Sequence, residues 1–232
     1  MNYDCLLSIL QELGVKGTVL QWFKAYLLNR EQRINIKGTC SDSKELATGV
    51  PQGSVLGPVL FNVYTSSLGR LLRKHLPQYH FYADDSNLYV CVKPSALTGA
   101  TKQLEECVAA IQSWMCSHQL QMNEEKTEFI IINTKQAATK ITPLPLTIGD
   151  NVIEPSPTAG SLGVLWDSNA SMEAHINNIC RAAFLQLHNI GKLQRYMDLS
   201  SLEAIVHAFI TTRLDYCNSL LCGLPASLLN RL

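Results

Sequence analysis

The chain has 232 residues, 47% hydrophobic and 16% charged, which is enough apolar material for a sizeable core and too little charge for a disordered chain. Nineteen basic and nineteen acidic side chains cancel, which excludes a histone-like polycation and an acidic tail protein. The balance is uneven. Residues 1–80 carry 9 basic and 5 acidic side chains and residues 81–232 carry 10 and 14, so a polyanion fits the first stretch best. The eight cysteines include no C-x-x-C pair and several fall on apolar helix faces, which predicts free, buried, reduced thiols rather than a disulfide scaffold or a zinc site. No basic-then-apolar leader opens the chain, and no apolar run approaches the roughly 20 residues that span a bilayer. The expectation is an intracellular protein of cytoplasm or nucleus with no membrane partner.

In chain order, Asp4 to Leu13 reads as a short helix stopped by Gly14. A second helix runs from Thr18, placed to cap it, to Leu28. Gln32 to Lys37 alternates polar and apolar as a strand, Gly38 breaks it, and Ser41 to Leu46 returns as the other arm of a hairpin. Gly49-Val50-Pro51-Gln52-Gly53-Ser54 is a loop by composition, and Ser54 is placed to cap a helix that runs to Lys74. The apolar runs His80–Tyr82 and Leu88–Val92 flank an acidic turn, Asp84-Asp85-Ser86-Asn87, as a second hairpin. A long amphipathic helix carries Leu104, Cys107, Val108, Ile111, Trp114 and Met115 on one face, and Glu128 to Asn133 follows as a buried strand. Residues 134–160 read as loop with one or two short strands, and Gly160 to Trp166 as a hairpin. From Met172 the chain is helical, first with a stripe of Met172, Ile176, Ile179, Ala183, Leu187, Ile190 and Leu193, then with a helix from Ser200 or Ser201. This change of character sets a domain boundary near residue 167.

Tyr82-Ala83-Asp84-Asp85 is the sharpest chemical feature. Adjacent carboxylates in a tight turn repel one another, and a hard divalent cation such as Mg²⁺ relieves that repulsion while leaving coordination positions for phosphate oxygens. Asp is also a common turn former, so the pair alone does not decide between a metal site and a solvated turn. The Gly/Pro/Gln loop upstream adds backbone amides at a helix N-terminus, where a phosphate or a base fits, and Gln52 supplies both a donor and an acceptor.

GVPQGSVLGPVLF (Gly49 to Phe61) together with YADD resembles the reverse transcriptase of non-LTR, LINE-type retrotransposons. LQWFKAYLLNREQRINIKG, LQMNEEKTE, SLGVLWDSNASMEAHI and HAFITTRLDYCNSLLCGLP are similar to further segments of that family in the same order, over essentially the whole chain. The resemblance implies an α+β fold, a partial right-hand polymerase. Residues 1–167 would be part of the fingers and palm, an antiparallel sheet with packed helices, and residues 168–232 an all-α thumb segment. Asp84 and Asp85 would be the catalytic, metal-holding carboxylates, with Mg²⁺ as cofactor. Pro51, Gln52 and Gly53 would lie against the nascent base pair and template, and Tyr82 near the primer terminus. Lys126 would protonate the leaving pyrophosphate, and Leu162 and Gly163 would belong to a primer-grip hairpin. The implied partners are an RNA template, a DNA primer and deoxynucleoside triphosphates, and the implied reaction adds deoxynucleotides to a primer 3′-hydroxyl by a two-metal-ion mechanism.

The departures carry equal weight. The family places another metal-binding Asp in a segment like D-L-S-A-A-F-D, upstream of the position of Met1, together with the aromatic residue that excludes ribonucleotides. Neither has a match here, and Asp4 matches a later acidic position. The expectation is therefore a fragment inactive by itself, truncated at the N-terminus and within the thumb. The alternatives are a non-catalytic nucleic-acid-binding module and a functionless translated remnant.

Overall fold

The computed structural model describes residues 1–51, 53–75, 78–139 and 141–232, which form a mixed α+β structure of two compact units. One unit holds Met1–Lys126 with Thr147–Asn151, and the other Thr127–Leu146 with Val152–Leu232. Strands pair only two at a time among the described residues, so the expected antiparallel sheet is replaced by separate ribbons.

The first unit opens with α1 (Tyr3–Glu12), whose Cys5 N–H donates to the Asn2 carboxamide oxygen at 3.0 Å. Next is α2 (Gly17–Leu27), where Gly17 itself makes the turn at φ +58°, so Thr18 lies inside the first turn and does not cap. The next hairpin is built in two pieces. Strands β1 (Glu31–Gln32) and β4 (Lys44–Glu45) pair, and beyond them β2 (Asn35–Ile36) and β3 (Thr39–Cys40) pair around Lys37 and Gly38, at φ +51° and +88°. Positive φ at both central residues is the two-residue turn that matches strand twist.

The long helix α3 (Gly57–His75) follows the glycine loop, and Ser54 Oγ accepts from Gly57 N–H at 3.1 Å, as the sequence predicts. Leu60, Tyr64, Leu68 and Leu72 recur every four residues along α3 and all are buried. The first two pack with Leu6, Leu10, Leu20 and Leu27 of α1 and α2. The last two pack with Cys107 and Ile111 of α4 (Leu97–Ser117). One helix stripe therefore joins both cores of the unit. At full burial each leucine contributes about 1.5–3 kcal/mol. The ribbon β5 (Tyr79–Tyr82) and β6 (Asp85–Leu88) lies on the second core through Tyr79, Phe81 and Leu88.

In the second unit, Thr134 caps the short α5 (Lys135–Ala138). β7 (Leu146–Ile148) and β8 (Asn151–Ile153) pair as a two-stranded ribbon. Strands β9 (Thr158–Ser161) and β10 (Val164–Asp167) pair antiparallel. The helices are α6 (Glu173–Leu193), α7 (Leu199–Val206), α8 (Thr212–Asp215) and α9 (Ala226–Leu229), with a π-helical turn over His207–Thr211. Val164, Met172, Ile176 and Leu221 make one core, and Ala183, Ile190 and Ile210 another.

Three expectations need correction. Glu128–Asn133 forms no strand, and none of its residues is fully buried. Phe129 C=O accepts from Ser156 N–H and Asn133 N–H donates to Ser168 C=O, two isolated bonds that make no ladder. Leu187 and Leu193 of the α6 stripe are exposed, because the short α7 and the π turn cover only part of that face. All eight cysteines are free, yet only Cys107 is buried, where desolvation pushes its thiol up to about 11. Two-stranded ribbons and single-layer helices leave at least one face of most elements in water, which is why Cys40, Cys91, Cys116 and Cys222 are exposed.

Tyr64 has no exposed surface, and its hydroxyl accepts from Asn2 N–H at 3.1 Å and donates to His118 C=O. Burial raises its pKa, so the phenol stays neutral. Tyr64→Phe strands both backbone groups and is expected to cost about 1–3 kcal/mol, read as a lower urea midpoint at unchanged slope. A loss below about 0.5 kcal/mol would show that water reaches both groups.

Candidate functional site

The glycine loop and the acidic hairpin share one scaffold, helix α3. The loop folds back on the first turn of α3. Ser54 N–H donates to Pro51 C=O at 3.1 Å, and a Cβ added at Gly57 would stand 3.1 Å from Ser54 Oγ and 3.6 Å from Val50 Cγ2. Gly49 and Gly53 hold φ of +90° and +77°, a region that favours glycine. The loop is also held from α1's side, since Gly49 N–H donates to Met1 C=O at 2.9 Å. Gln52 lies outside the described residues.

The hairpin is tighter than its sequence predicts. Register pairs Tyr79 with Leu88, His80 with Asn87, Phe81 with Ser86 and Tyr82 with Asp85, leaving only Ala83 and Asp84 in the turn. Asp85 to Asn87 are therefore strand rather than turn, and Tyr89–Val92 lies beyond the ladder. Ala83 sits at φ +53°, a left-handed conformation that costs an L-residue about 1–2 kcal/mol. Alternation sends Tyr79 and Phe81 down onto α3, where the Tyr79 hydroxyl donates to Gly69 C=O at 3.0 Å. His80, Tyr82, Asp85 and Asn87 occupy the opposite face, and Tyr82 is 68% exposed. His80 stacks on Tyr89, with their Nε2 and hydroxyl 2.8 Å apart.

Asp84 and Asp85 are both exposed, and no hydrogen bond or ion pair engages either carboxylate among the described residues. Asp84 stands at the rim of a cleft of about 220 Å³ lined by Phe61, Thr65, Phe81, Trp114 and Met115. That volume is below the size of ordinary small-molecule pockets, so the acids face open solvent and not an enclosed site. Among the described residues no third Asp, Glu, His or Cys joins them as a metal-binding group. Glu12 is turned instead to Arg70 at 3.9 Å, both in water.

A contrasting acid shows what structural service looks like. Asp167 is buried and accepts from Asn169 N–H, Ser171 N–H and Ser171 Oγ at 3.0–3.1 Å. Burial pushes its carboxyl up, but these bonds and one from Met172 N–H outweigh it and hold the group below the usual carboxylate range. Every acceptor of Asp167 is consumed in launching α6, whereas those of Asp84 and Asp85 are free for a ligand.

Lys126 ends a single 3₁₀ turn, Glu124–Lys126, and its N–H donates to Asn123 Oδ1 at 3.2 Å. Glu124 secures that turn, accepting from Gln112 Nε2 at 2.8 Å and from Asn151 Nδ2. The Lys126 side chain is exposed and does not line the Asp84 cleft.

Leu162 and Gly163 belong to the second unit and form the turn between β9 and β10, at φ +48° and +80°. Sequence reasoning missed how this tip is held. The Tyr216 hydroxyl donates to Leu162 C=O at 2.6 Å, and the ring covers Gly163, where an added Cβ would stand 3.3 Å from Tyr216 Cε1. Glu128 accepts from Gly160 N–H at 2.6 Å on the same hairpin, and His175 Nδ1 accepts from Leu165 N–H at 3.3 Å. Glu128, His175 and Tyr216 each stand in a family-like segment, but nothing in the residue pattern marks any of them as an anchor of this hairpin.

A family model described as reverse transcriptase (RNA-dependent DNA polymerase) matches residues 2–164. The chain is 28% identical over 168 residues to the RNA-directed DNA polymerase from mobile element jockey of Drosophila melanogaster, covering 68% of this chain and 17% of that protein. It is 24% identical over 188 residues to the probable RNA-directed DNA polymerase from transposon BS, covering 78% of this chain and 20% of that protein. It is 28% identical over 188 residues to that from transposon X-element, covering 76% and 20%, both again of Drosophila melanogaster. The chain thus spans about a fifth of the length of the curated relatives it matches.

Gly163→Ala is expected to destabilise the second unit by about 1–2 kcal/mol, since the added methyl meets both the left-handed backbone and the Tyr216 ring. Thermal melting reads this, and an unchanged midpoint would show that the tip is not fixed. The second expectation is a pH dependence. Burial holds His175 below the ordinary histidine value of 6.5, so the unfolded chain takes up a proton first as pH falls. Stability is complete above about pH 7 and declines as pH drops below 6.5 toward the folded value. His175→Gln should flatten that decline in urea titrations at pH 7.5 and 5.5, and an equal slope in both proteins would remove His175 as its source.

Proposed function

The chain belongs to the reverse transcriptase family, of the non-LTR retrotransposon kind, and on that premise we propose that it carries part of the polymerase centre of an RNA-directed DNA polymerase. The observation that carries the reading is the pair of exposed, unengaged carboxylates on a two-residue hairpin, anchored to the helix that also bears the glycine loop. Residues 1–167 then correspond to palm and part of the fingers, and residues 168–232 to a helical thumb segment.

Asp84 and Asp85 are hard oxygen donors with free coordination positions beside them, which suits Mg²⁺ completed by water and triphosphate oxygens. When bound, the cation neutralises charge on the triphosphate and favours ionisation of the primer 3′-hydroxyl. The chain's own residues do the positioning. Tyr82, beside Asp85 on the open face, sets the primer terminus. Pro51, Gln52 and Gly53 set the nascent base pair and template, Lys126 supplies a proton to pyrophosphate, and Leu162 with Gly163 grips the primer. RNA template, DNA primer and deoxynucleoside triphosphates are the proposed partners.

Two carboxylates hold one cation weakly, and phosphoryl transfer of this kind depends on charge stabilisation from the whole donor set. The 232 residues by themselves are therefore proposed to bind without polymerising. No helix among the described residues is long and apolar enough to cross a membrane.

On a primed RNA template with Mg²⁺ or Mn²⁺, the 232-residue chain should give no extension product. Mn²⁺ should still bind, broadening water-proton relaxation, and Asp84→Asn with Asp85→Asn should abolish that binding. Mn²⁺ binding that persists in the double variant would overturn the metal assignment. Extension that vanishes in Asp84→Ala would overturn the inactivity.

A further inference from the structure

The cleft beside Asp84 lies wholly within the first unit, and its walls are apolar. Phe61 and Leu68 come from one stripe of α3, and Phe81 from β5. Trp114 and Met115 come from the last turn of α4, and Leu120 from the segment after it. Several of these walls are fixed. The Trp114 indole N–H donates to Ser67 Oγ at 3.1 Å, and its ring stacks on His118 with centroids 4.0 Å apart. Gln119 turns the chain at φ +53°, and Leu120 N–H donates back to Met115 C=O at 2.8 Å. Leu68 is buried, whereas the other five are partly exposed. Partly exposed apolar side chains around a concave space favour a ligand that removes them from water.

Size and charge narrow the ligand. At about 220 Å³ the cleft is smaller than the roughly 300–1,000 Å³ of pockets for drug-sized molecules. It is larger than the roughly 150 Å³ apolar cavity that holds one benzene. A single aromatic ring or a fused pair therefore fits. Asp84 is the one charged residue of the lining, and among the described residues nothing engages its carboxylate. A phosphate-bearing ligand is repelled there. A neutral ring leaves the carboxylate without a counter-charge, and a metal ion leaves the apolar walls in water. A ring with a protonated amine on a short alkyl arm meets both surfaces.

We propose that this cleft binds small arylalkylammonium ions, with the ring among Phe61, Phe81, Trp114 and Met115 and the ammonium on Asp84. Its occupation displaces a divalent cation from the same carboxylate. The displacement rests on the metal reading of Asp84, and the binding itself does not.

Tryptamine, titrated against the 232-residue chain and followed by ligand-observed NMR, tests the site. Its dissociation constant should be on the order of 0.1–1 mM, the reach of so small a ligand. Ethylammonium, the arm without the ring, should not bind measurably. Neutral 3-ethylindole should bind about 2- to 5-fold more weakly than tryptamine, the range of an exposed ion pair. Asp84→Asn should weaken tryptamine by about the same 2- to 5-fold and leave ethylindole unchanged. Thr65→Phe fills the cleft from α3 and should abolish binding of both, at unchanged Mn²⁺ affinity by water-proton relaxation. Its melting temperature is measured alongside, and should that variant melt early, the exposed Asp84→Asn decides. Saturating tryptamine should raise the apparent Mn²⁺ dissociation constant of the parent chain. Tryptamine bound equally by the parent and a stably folded Thr65→Phe would overturn the site. So would tryptamine and ethylindole binding alike in both the parent and Asp84→Asn. Mn²⁺ affinity unmoved by saturating tryptamine would overturn the displacement. A parent chain that binds tryptamine but no Mn²⁺ refutes the metal reading and supports the site, whereas Mn²⁺ binding without tryptamine binding refutes the site alone.

Discussion

The first unit depends on a single buried hydroxyl. Tyr64 sits midway along α3 with α1 starting on one side and α4 ending on the other, and its oxygen meets a backbone donor from Asn2 and a backbone acceptor from His118. Neither group has a helical partner of its own, since Asn2 precedes the first turn of α1 and His118 follows the last turn of α4. A buried polar backbone group without a partner costs as much as a lost hydrogen bond, so the two helix ends are pulled to the place where one phenol satisfies both. The His118 ring, stacked on Trp114, and the Trp114 indole N–H, donating to Ser67 Oγ at 3.1 Å, extend the same arrangement one turn along α3. Because α3 also carries the glycine loop and supports the acidic hairpin, the positions of both trace back to this junction.

The acidic hairpin, the Lys37-Gly38 hairpin and the Leu162-Gly163 hairpin use the same device, a two-residue turn with its first residue at positive φ. Such turns fix register, and register decides which side chains face the core. In the acidic hairpin this puts Tyr79 and Phe81 into the core and Tyr82 and Asp85 into water. Two requirements that would otherwise conflict, apolar burial and solvent access for carboxylates, are met in four residues.

Much of this was legible in the sequence, for identifiable reasons. α1, α3 and α4 follow from periodicity, and the cap of Ser54 from its place before an apolar stripe. The hairpin containing Asp84 and Asp85 followed from two aromatic runs around polar residues. Its tightness did not, because Asp, Ser and Asn are all turn formers and Ala83, the residue at positive φ, is not. Glu128–Asn133 misled because a run of isoleucines carries strand propensity without saying whether a ladder partner exists. Leu187 and Leu193 misled for a related reason, since a stripe marks what a helix could bury and not how long its neighbour is. Long-range polar anchors, Tyr216 on Leu162 or Glu128 on Gly160, leave no local pattern at all.

Ala83 has one more implication. Its left-handed backbone admits glycine freely and asparagine or aspartate with modest cost, and it is hostile to β-branched side chains. Alanine codons are one transition away from valine and threonine codons, the two most accessible neighbours and both β-branched. A gene copy drifting without selection therefore meets its most frequent changes at this position as ones that open the turn and misdirect the two carboxylates after it. The residue that looks least informative in Tyr82-Ala83-Asp84-Asp85 is in this sense the one whose replacement would date the loss of the site.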